Sequence, residues 1–353
     1  ICALKAAGRS SRALLDHVRP SVLLLAEPAP EGGGSGPLSD WKAIRCDPST
    51  GCWAGLPDPV PARAGGCICG VLDNEFYMIG GPGRARGRTS VVSFSPARPA
   101  GSAWKRSPDL PTGLCSGVAL ALNGSLHVFL PDNDGYAPRL SGEDSFEHFT
   151  LDPHAREWLR NQNNVRDRIC TDSYWFAGAS AQGHIYLVSL DEGNEDDYEE
   201  VDEDWDPEMH IAHHGRDDII QVNALALNPA TGSWAVLPAP FRSGRPDFYD
   251  FRLLAYASGG QFHAVLASTS SVHIARYSPQ AGAWASWSSS LTCLPHALAP
   301  LPFSSDKVFL VSEDHKGTVE FLGCDAALDP QLRAVRISER AYRRYSCPGV
   351  IWS

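Results

Sequence analysis

Between residues 67 and 311, short apolar runs alternate with two-residue polar turns. Cys67-Ile68-Cys69-Gly70-Val71-Leu72 turns at Asp73-Asn74 into Phe76-Tyr77-Met78-Ile79, and Val118-Ala119-Leu120-Ala121-Leu122 turns at Asn123-Gly124 into Leu126-His127-Val128-Phe129. Similar pairs flank Gln182-Gly183 and Gly259-Gly260, while Val308-Phe309-Leu310-Val311 follows a looser turn near Asp306. β-branched and aromatic residues punctuated by Asn, Asp and Gly predict antiparallel hairpins.

Downstream of each hairpin a second turn recurs. Asp47-Pro48-Ser49-Thr50-Gly51-Cys52-Trp53 returns as Asp152-Pro153 with Trp158, as Asn228-Pro229-Ala230-Thr231-Gly232-Ser233-Trp234 and as Ser278-Pro279 with Trp284. Looser copies are Ser95-Pro96 with Trp104 and Asp329-Pro330 with Val335 in the Trp place. The chemistry is that of a tight turn. Asp, Asn or Ser bonds the backbone ahead, Pro presets φ, and Gly before the Trp accepts positive φ. The Trp then opens a strand with a large apolar face to bury.

From Trp53 to Val335 the key positions lie 51, 54, 76, 50 and 51 residues apart. Each period codes four antiparallel strands. Six such periods with almost no helical periodicity predict an all-β, six-bladed β-propeller of four-stranded blades. The one long interval holds an insertion at 191–218, whose first 18 residues, Asp191 to Glu208, contain 12 acidic and no basic residues. Without that stretch, the formal charge of −11 becomes about +1, so the acidity belongs to one loop. Such a composition predicts a solvated loop, with Tyr198 and Trp205 as its candidate anchors.

Gly65-Gly66, the strand Phe76 to Ile79 ending in Gly80-Gly81, and Trp-x-x-Leu-Pro at Trp53 and Trp234 resemble Kelch repeats over about residues 21 to 353. The double glycine survives only once, the other second strands ending in Leu130, Ser189-Leu190, Ala267-Ser268 and Ser312. In the first period Ser21 to Ala26 reads as a second strand with no first strand upstream. Tyr345 to Trp352 supplies a spare one, predicting that the C-terminal strand closes the ring and removes an exposed edge.

Residues 1–20 read as a basic, partly amphipathic helix stopped by Pro20. This stub is similar to the last helix of an F-box, and the final helix of a BTB-BACK module fits as well; a simple helical cap is the third reading. The chain begins with Ile1, which points to a piece of a longer protein. Kelch propellers joined to an F-box or BTB module serve as substrate adaptors of cullin-type ubiquitin ligases, and the resemblance implies that role here. The alternatives are a cytoskeletal or signalling Kelch scaffold and a carbohydrate-active propeller enzyme.

Composition and motifs narrow these classes. No apolar run approaches the roughly 20 residues of a membrane helix, so no membrane partner is expected, and the reading is cytoplasmic or nuclear. The ten cysteines form no CxxC pair; Cys67, Cys115, Cys170, Cys293 and Cys347 fall near the starts of innermost strands. No phosphate loop, Gly-x-Ser-x-Gly elbow or HExxH motif occurs, so no catalytic residue, metal or cofactor is assigned. His210, His213 and His214 have metal-ligand chemistry but stand in the polar insertion. Net charge and the absence of a continuous basic stripe disfavour nucleic acid.

In an up-and-down blade the two-three loops and the interblade links emerge on one face, and here those segments vary most. A protein or peptide ligand is expected on that face. Arg84, Arg86 and Arg88 form a compact cationic loop suited to an acidic or phosphorylated peptide, or to pairing with the chain's own acidic loop. Arg63, Arg106, Asn161, Arg166, Arg168, Arg242, Arg245, Tyr249 and His296 are candidate rim contacts in the links.

Overall fold

A computed structural model of the protein describes residues 20–28, 42–47, 52–56, 67–80, 89–99, 102–113, 117–131, 146–152, 156–161, 176–191, 219–244, 252–267, 271–288, 294–300, 307–313, 319–325, 335–336 and 342–352. The described residues contain strands and turns and no helix; the expected helix over 1–20 lies outside them except for Pro20, which already belongs to a strand.

Each predicted hairpin is present. In the second sheet β4 (Cys67–Leu72), β5 (Glu75–Gly80), β6 (Val91–Phe94) and β7 (Trp104–Ser107) pair in chain order, all antiparallel. The third repeats this with β8 (Val118–Leu122), β9 (Ser125–Pro131), β10 (Phe146–Asp152) and β11 (Glu157–Asn161), and the fifth with β17 (Arg252–Ser258), β18 (Gln261–Ala267), β19 (Val272–Ser278) and β20 (Ala283–Ser288). The fourth has β12 (Phe176–Ala181), β13 (His184–Asp191), β14 (Ile219–Asn228) and β15 (Ser233–Leu237), plus a short β16 (Arg242–Gly244) on β14. The first joins β1 (Pro20–Pro28), β2 (Lys42–Asp47) and β3 (Cys52–Gly55) to the C-terminal β25 (Tyr342–Trp352); the sixth holds β21 (Leu294–Pro300), β22 (Lys307–Glu313), β23 (Val319–Asp325) and β24 (Val335–Arg336). The C-terminal strand thus occupies the innermost place of the first sheet, with Val22 opposite Val350.

Side-chain packing is described for sheets two to five, which stand as four packed blades of a β-propeller. Their inner turns obey the sequence chemistry. Asp73 and Asn74 have φ of 48° and 65°, Asn123 and Gly124 52° and 77°, Gln182 and Gly183 50° and 77°, Gly259 and Gly260 58° and 75°. Positive φ at both central residues is the turn whose twist matches two antiparallel strands. At the outer turns Gly232 and Gly282 take φ of 67° and 59°, whereas the third blade places Arg156 there at 54°. The Asn228 side chain accepts from the Ala230 N–H at 3.0 Å, the local bond that makes Asn a turn former.

Strand alternation sends neighbouring residues to opposite blade faces, so three of the core clusters among the described residues form between two blades. Tyr77, Ile79 and Val91 of blade two meet Leu126, Val128, Phe149 and Leu151 of blade three. The next face of blade three, with Phe129 and Phe146, meets Ile185, Leu187, Leu225 and Leu227. Blade four's far face meets Phe262, Leu266 and Tyr277. Trp158, Trp234 and Trp284 pack into the seams with their preceding blades and edge these three clusters, and Trp104 edges the cluster on the other face of blade two. A Cβ on Gly178 of β12 would lie 2.8 Å from Leu187 Cδ2 and from the Tyr186 carbonyl oxygen of β13 in its own blade, and 3.0 Å from Leu120 Cδ1 of β8, the innermost strand of the blade before.

Candidate functional site

Antiparallel order fixes where the connections emerge. The two-residue turns and the Trp turns share one face; the two-three connections and the interblade links share the other. Arg63, Arg84, Arg86, Arg88, Arg166, Arg168, Tyr198, Trp205, Arg245 and Tyr249 lie outside the described residues, as do His210, His213, His214, Cys115, Cys170 and Cys293. Arg242 differs from its expectation. It is not in a free link but in β16, in register with Gln221, which in turn pairs with Asp191. The fourth sheet therefore runs further toward the loop face than a four-stranded repeat requires, and the acidic insertion starts from this reinforced stem. Asp191 itself is the last residue of β13 rather than part of the loop.

Arg106, a rim candidate, bonds Asp109 at 2.7 Å, which raises its pKa. On the turn face Glu75 gathers Arg98 and Lys105, while Tyr77 donates to it at 3.4 Å. Burial, and then the Glu75 charge, push the Tyr77 hydroxyl up to about 12. Cys67 and Cys69 share a face of β4 with sulfurs 3.9 Å apart. Among the described residues no three His, Cys, Asp or Glu side chains converge.

The main polar features lie inside the seams. Third from each inner turn, the second strands carry an aromatic ring: Tyr77, His127, Tyr186 and His263. In blade three the imidazole begins a polar chain across the sheet. His127 Nδ1 lies 3.1 Å from His148 Nε2 and 3.4 Å from Thr150 Oγ1, and Asn161 Nδ2 donates to that hydroxyl at 2.7 Å. Phe129 stacks on His148 with ring centroids 4.3 Å apart. Burial lowers the pKa of His127, so the neutral ring that can both donate and accept is favoured. The corresponding rows of blades two, four and five hold Val91, Ala224 and Ile274 in place of His148.

In blade five, His263 is 2% exposed and stacks on Tyr256 at 4.5 Å with the rings 3° from parallel; Trp287 meets it edge-on. Its Nδ1 is buried without a hydrogen-bond partner. Burial lowers its pKa to about 4, outweighing the nearby Gln261 backbone, which favours the charged form; the Arg276 charge lowers it further.

The seams also differ at their rims. Trp158 donates its indole N–H to the Pro108 carbonyl of blade two at 2.9 Å, and Trp284 to the Pro238 carbonyl of blade four at 2.7 Å. Both prolines stand four residues after the preceding blade's own Trp. At the seam between blades three and four that place is Gln162, outside the described residues, and no hydrogen bond to the Trp234 indole is found among the described residues. Trp234 instead meets Phe129 and Phe146 edge-on. Sequence reading missed these features, although the Pro four places after Trp, present at Pro57, Pro108 and Pro238 and absent at Gln162, was a visible signal.

No family model and no curated protein matches the chain. Among solved structures it is similar to the protein YjhT, with a TM-score of 0.51 at 12% identity over 85% of this chain and 91% of that one. The likeness is one of fold. No helix among the described residues is long and apolar enough to cross a membrane.

Proposed function

We propose that this chain is a protein-recognition module built as a six-bladed Kelch-type ring, and that it serves as the substrate-binding propeller of a cullin-type ubiquitin-ligase adaptor in the cytoplasm or nucleus. The observation that carries the binding reading is the asymmetry of the two faces. Every short, repeating turn falls on one face, and every connection of variable length and composition falls on the other. A rigid scaffold that varies only at one end is how binding loops are presented.

The six-bladed count is supported by the strand pairing in six sheets and by the order in which innermost strands touch: β25 with β4, β4 with β8, β8 with β12, β12 with β17, β17 with β21, and β21 with β25. The Kelch assignment and the link to an F-box or BTB module rest on the sequence resemblance. The ligand for the loop face is an acidic or phosphorylated segment read by Arg84, Arg86 and Arg88, whose forked guanidinia suit carboxylate and phosphate. No catalytic role is assigned.

The test is affinity purification of the protein in its native full length, followed by mass spectrometry. Recovery of cullin-ligase subunits supports the adaptor role, and co-purifying proteins lost on Arg84→Glu or Arg86→Glu identify loop-face ligands. Repeated purifications that recover partners but no ligase subunit reject the adaptor role and leave a Kelch scaffold.

A further inference from the structure

Blade two gathers sulfur on one face. Cys67 and Cys69 lie either side of Ile68 on β4, so both thiols point the same way, and their sulfurs stand 3.9 Å apart. Across the ladder from Cys69 is Met78 of β5, one of the two methionines in the chain. All three side chains pack in the cluster on the face of blade two turned away from blade three, with Phe76, Val92 and Phe94. Opposed residues have Cβ atoms about 4.5–5.5 Å apart, and the unbranched Met side chain has rotatable bonds enough to bring its thioether to the thiols.

The sulfur spacing suits a shared ion better than a disulfide. Two residues along a strand span about 6.6–6.8 Å, the far limit of the Cα separation that a disulfide bridges, so oxidising this pair would pinch β4. Two sulfurs bound to one ion at about 2.3 Å stand about 3.8 Å apart at tetrahedral corners and about 4.0 Å apart in a trigonal plane. The observed 3.9 Å asks for no movement of the strand.

The donor set then selects the ion. No three His, Cys, Asp or Glu side chains converge among the described residues, so these residues do not assemble the four donors that zinc takes. Thiolate and thioether are soft ligands, and Cu(I) is the ion that accepts them in small number. Cys67 is 7% exposed and Met78 0%, among apolar neighbours where two thiolates would need a cation beside them. Cys69 is only half-buried and gives the ion its way in.

We propose that Cys67, Cys69 and Met78 form a Cu(I) site, with two thiolates and one thioether as ligands. Binding releases the two thiol protons to solvent. Cys67 opens β4 in register with Gly80, which ends β5, so the site lies at the loop-face end of blade two. It is a binding function separate from the recognition of a protein ligand.

The experiment is a competition for Cu(I) between the reduced full chain and bathocuproine disulfonate under argon, read from the visible band of the chelator. The wild type is expected to take up one equivalent, and to compete better as pH rises because protons leave on binding. Cys67→Ser and Cys69→Ser should each weaken binding by more than the roughly 10–100-fold that an outer-shell group contributes. Met78→Leu should weaken it about tenfold, whereas Cys170→Ser and Cys293→Ser should leave it unchanged. Because a substitution could disturb the blade, X-ray absorption at the copper edge of the wild-type complex must also show sulfur alone around the ion, at about 2.3 Å. Failure to compete with the chelator overturns the site. So does affinity that survives Cys69→Ser, or a shell of nitrogen and oxygen, either of which would mark adventitious copper held elsewhere. Met78→Leu without effect overturns the three-sulfur set, and zinc(II) held as tightly overturns the choice of ion.

Discussion

Replacing His263 by Phe should make the propeller resist acid. The ring is buried against Tyr256, its Nδ1 has no hydrogen-bond partner, and its folded pKa is about 4 against 6.5 in the unfolded chain. Above pH 6.5 both states hold it neutral and it contributes no pH dependence. Between 6.5 and about 4 the unfolded state takes up the proton and the folded state does not, so stability falls as pH falls. At about 1.4 kcal/mol per pH unit, the loss across that window is about 3 kcal/mol. Phe keeps the stacked ring in a place where other blades hold Tyr77 and Tyr186, and it removes a buried unsatisfied nitrogen that costs about 1–3 kcal/mol. The assay is urea unfolding followed by tryptophan fluorescence at pH 7, 6, 5 and 4. His263→Phe should match or exceed the wild type at pH 7, and the gap should widen by about 3 kcal/mol by pH 4. Parallel pH profiles for the two proteins would refute the argument, because every other titrating group is common to both.

Other expectations follow from the seams and turns. Trp158→Phe and Trp284→Phe each break an indole bond to a proline carbonyl, and should cost about 1 kcal/mol more than Trp104→Phe, whose buried N–H has no partner to lose. Chemical denaturation of the three variants checks the order. Gly178→Ala drives a Cβ to 2.8 Å from the Tyr186 carbonyl oxygen and should cost about 1–3 kcal/mol, read as a lowered unfolding midpoint. Arg156→Gly should raise stability by about 1 kcal/mol, since Arg156 holds a φ of 54° where other repeats place Gly. Deleting residues 192–208 and keeping the β13–β14 stem should leave the melting temperature unchanged; a collapse would show that the acidic stretch supports the fold.

The sequence by itself determined the repeat, the four strands in each period and the turn geometry, because these depend on residues a few positions apart. Asn123-Gly124 takes positive φ at both places whatever packs above it, and Pro229 with Gly232 makes the outer turn from local bonds. It also placed each Trp at the start of a fourth strand and the C-terminal strand beside Val22. What the Trp touches was decided only in three dimensions. The same residue bonds Pro108 in one seam and Pro238 in another, and among the described residues it meets Phe129 and Phe146 edge-on in a third, because its partners belong largely to the preceding blade. His127 and His148 are 21 residues apart and read as unrelated histidines; adjacent strands of a blade bring them within hydrogen-bond distance, and burial between blades keeps His127 neutral. β16 escaped detection because three residues carry no periodicity, and their pairing exists only through an elongated β14.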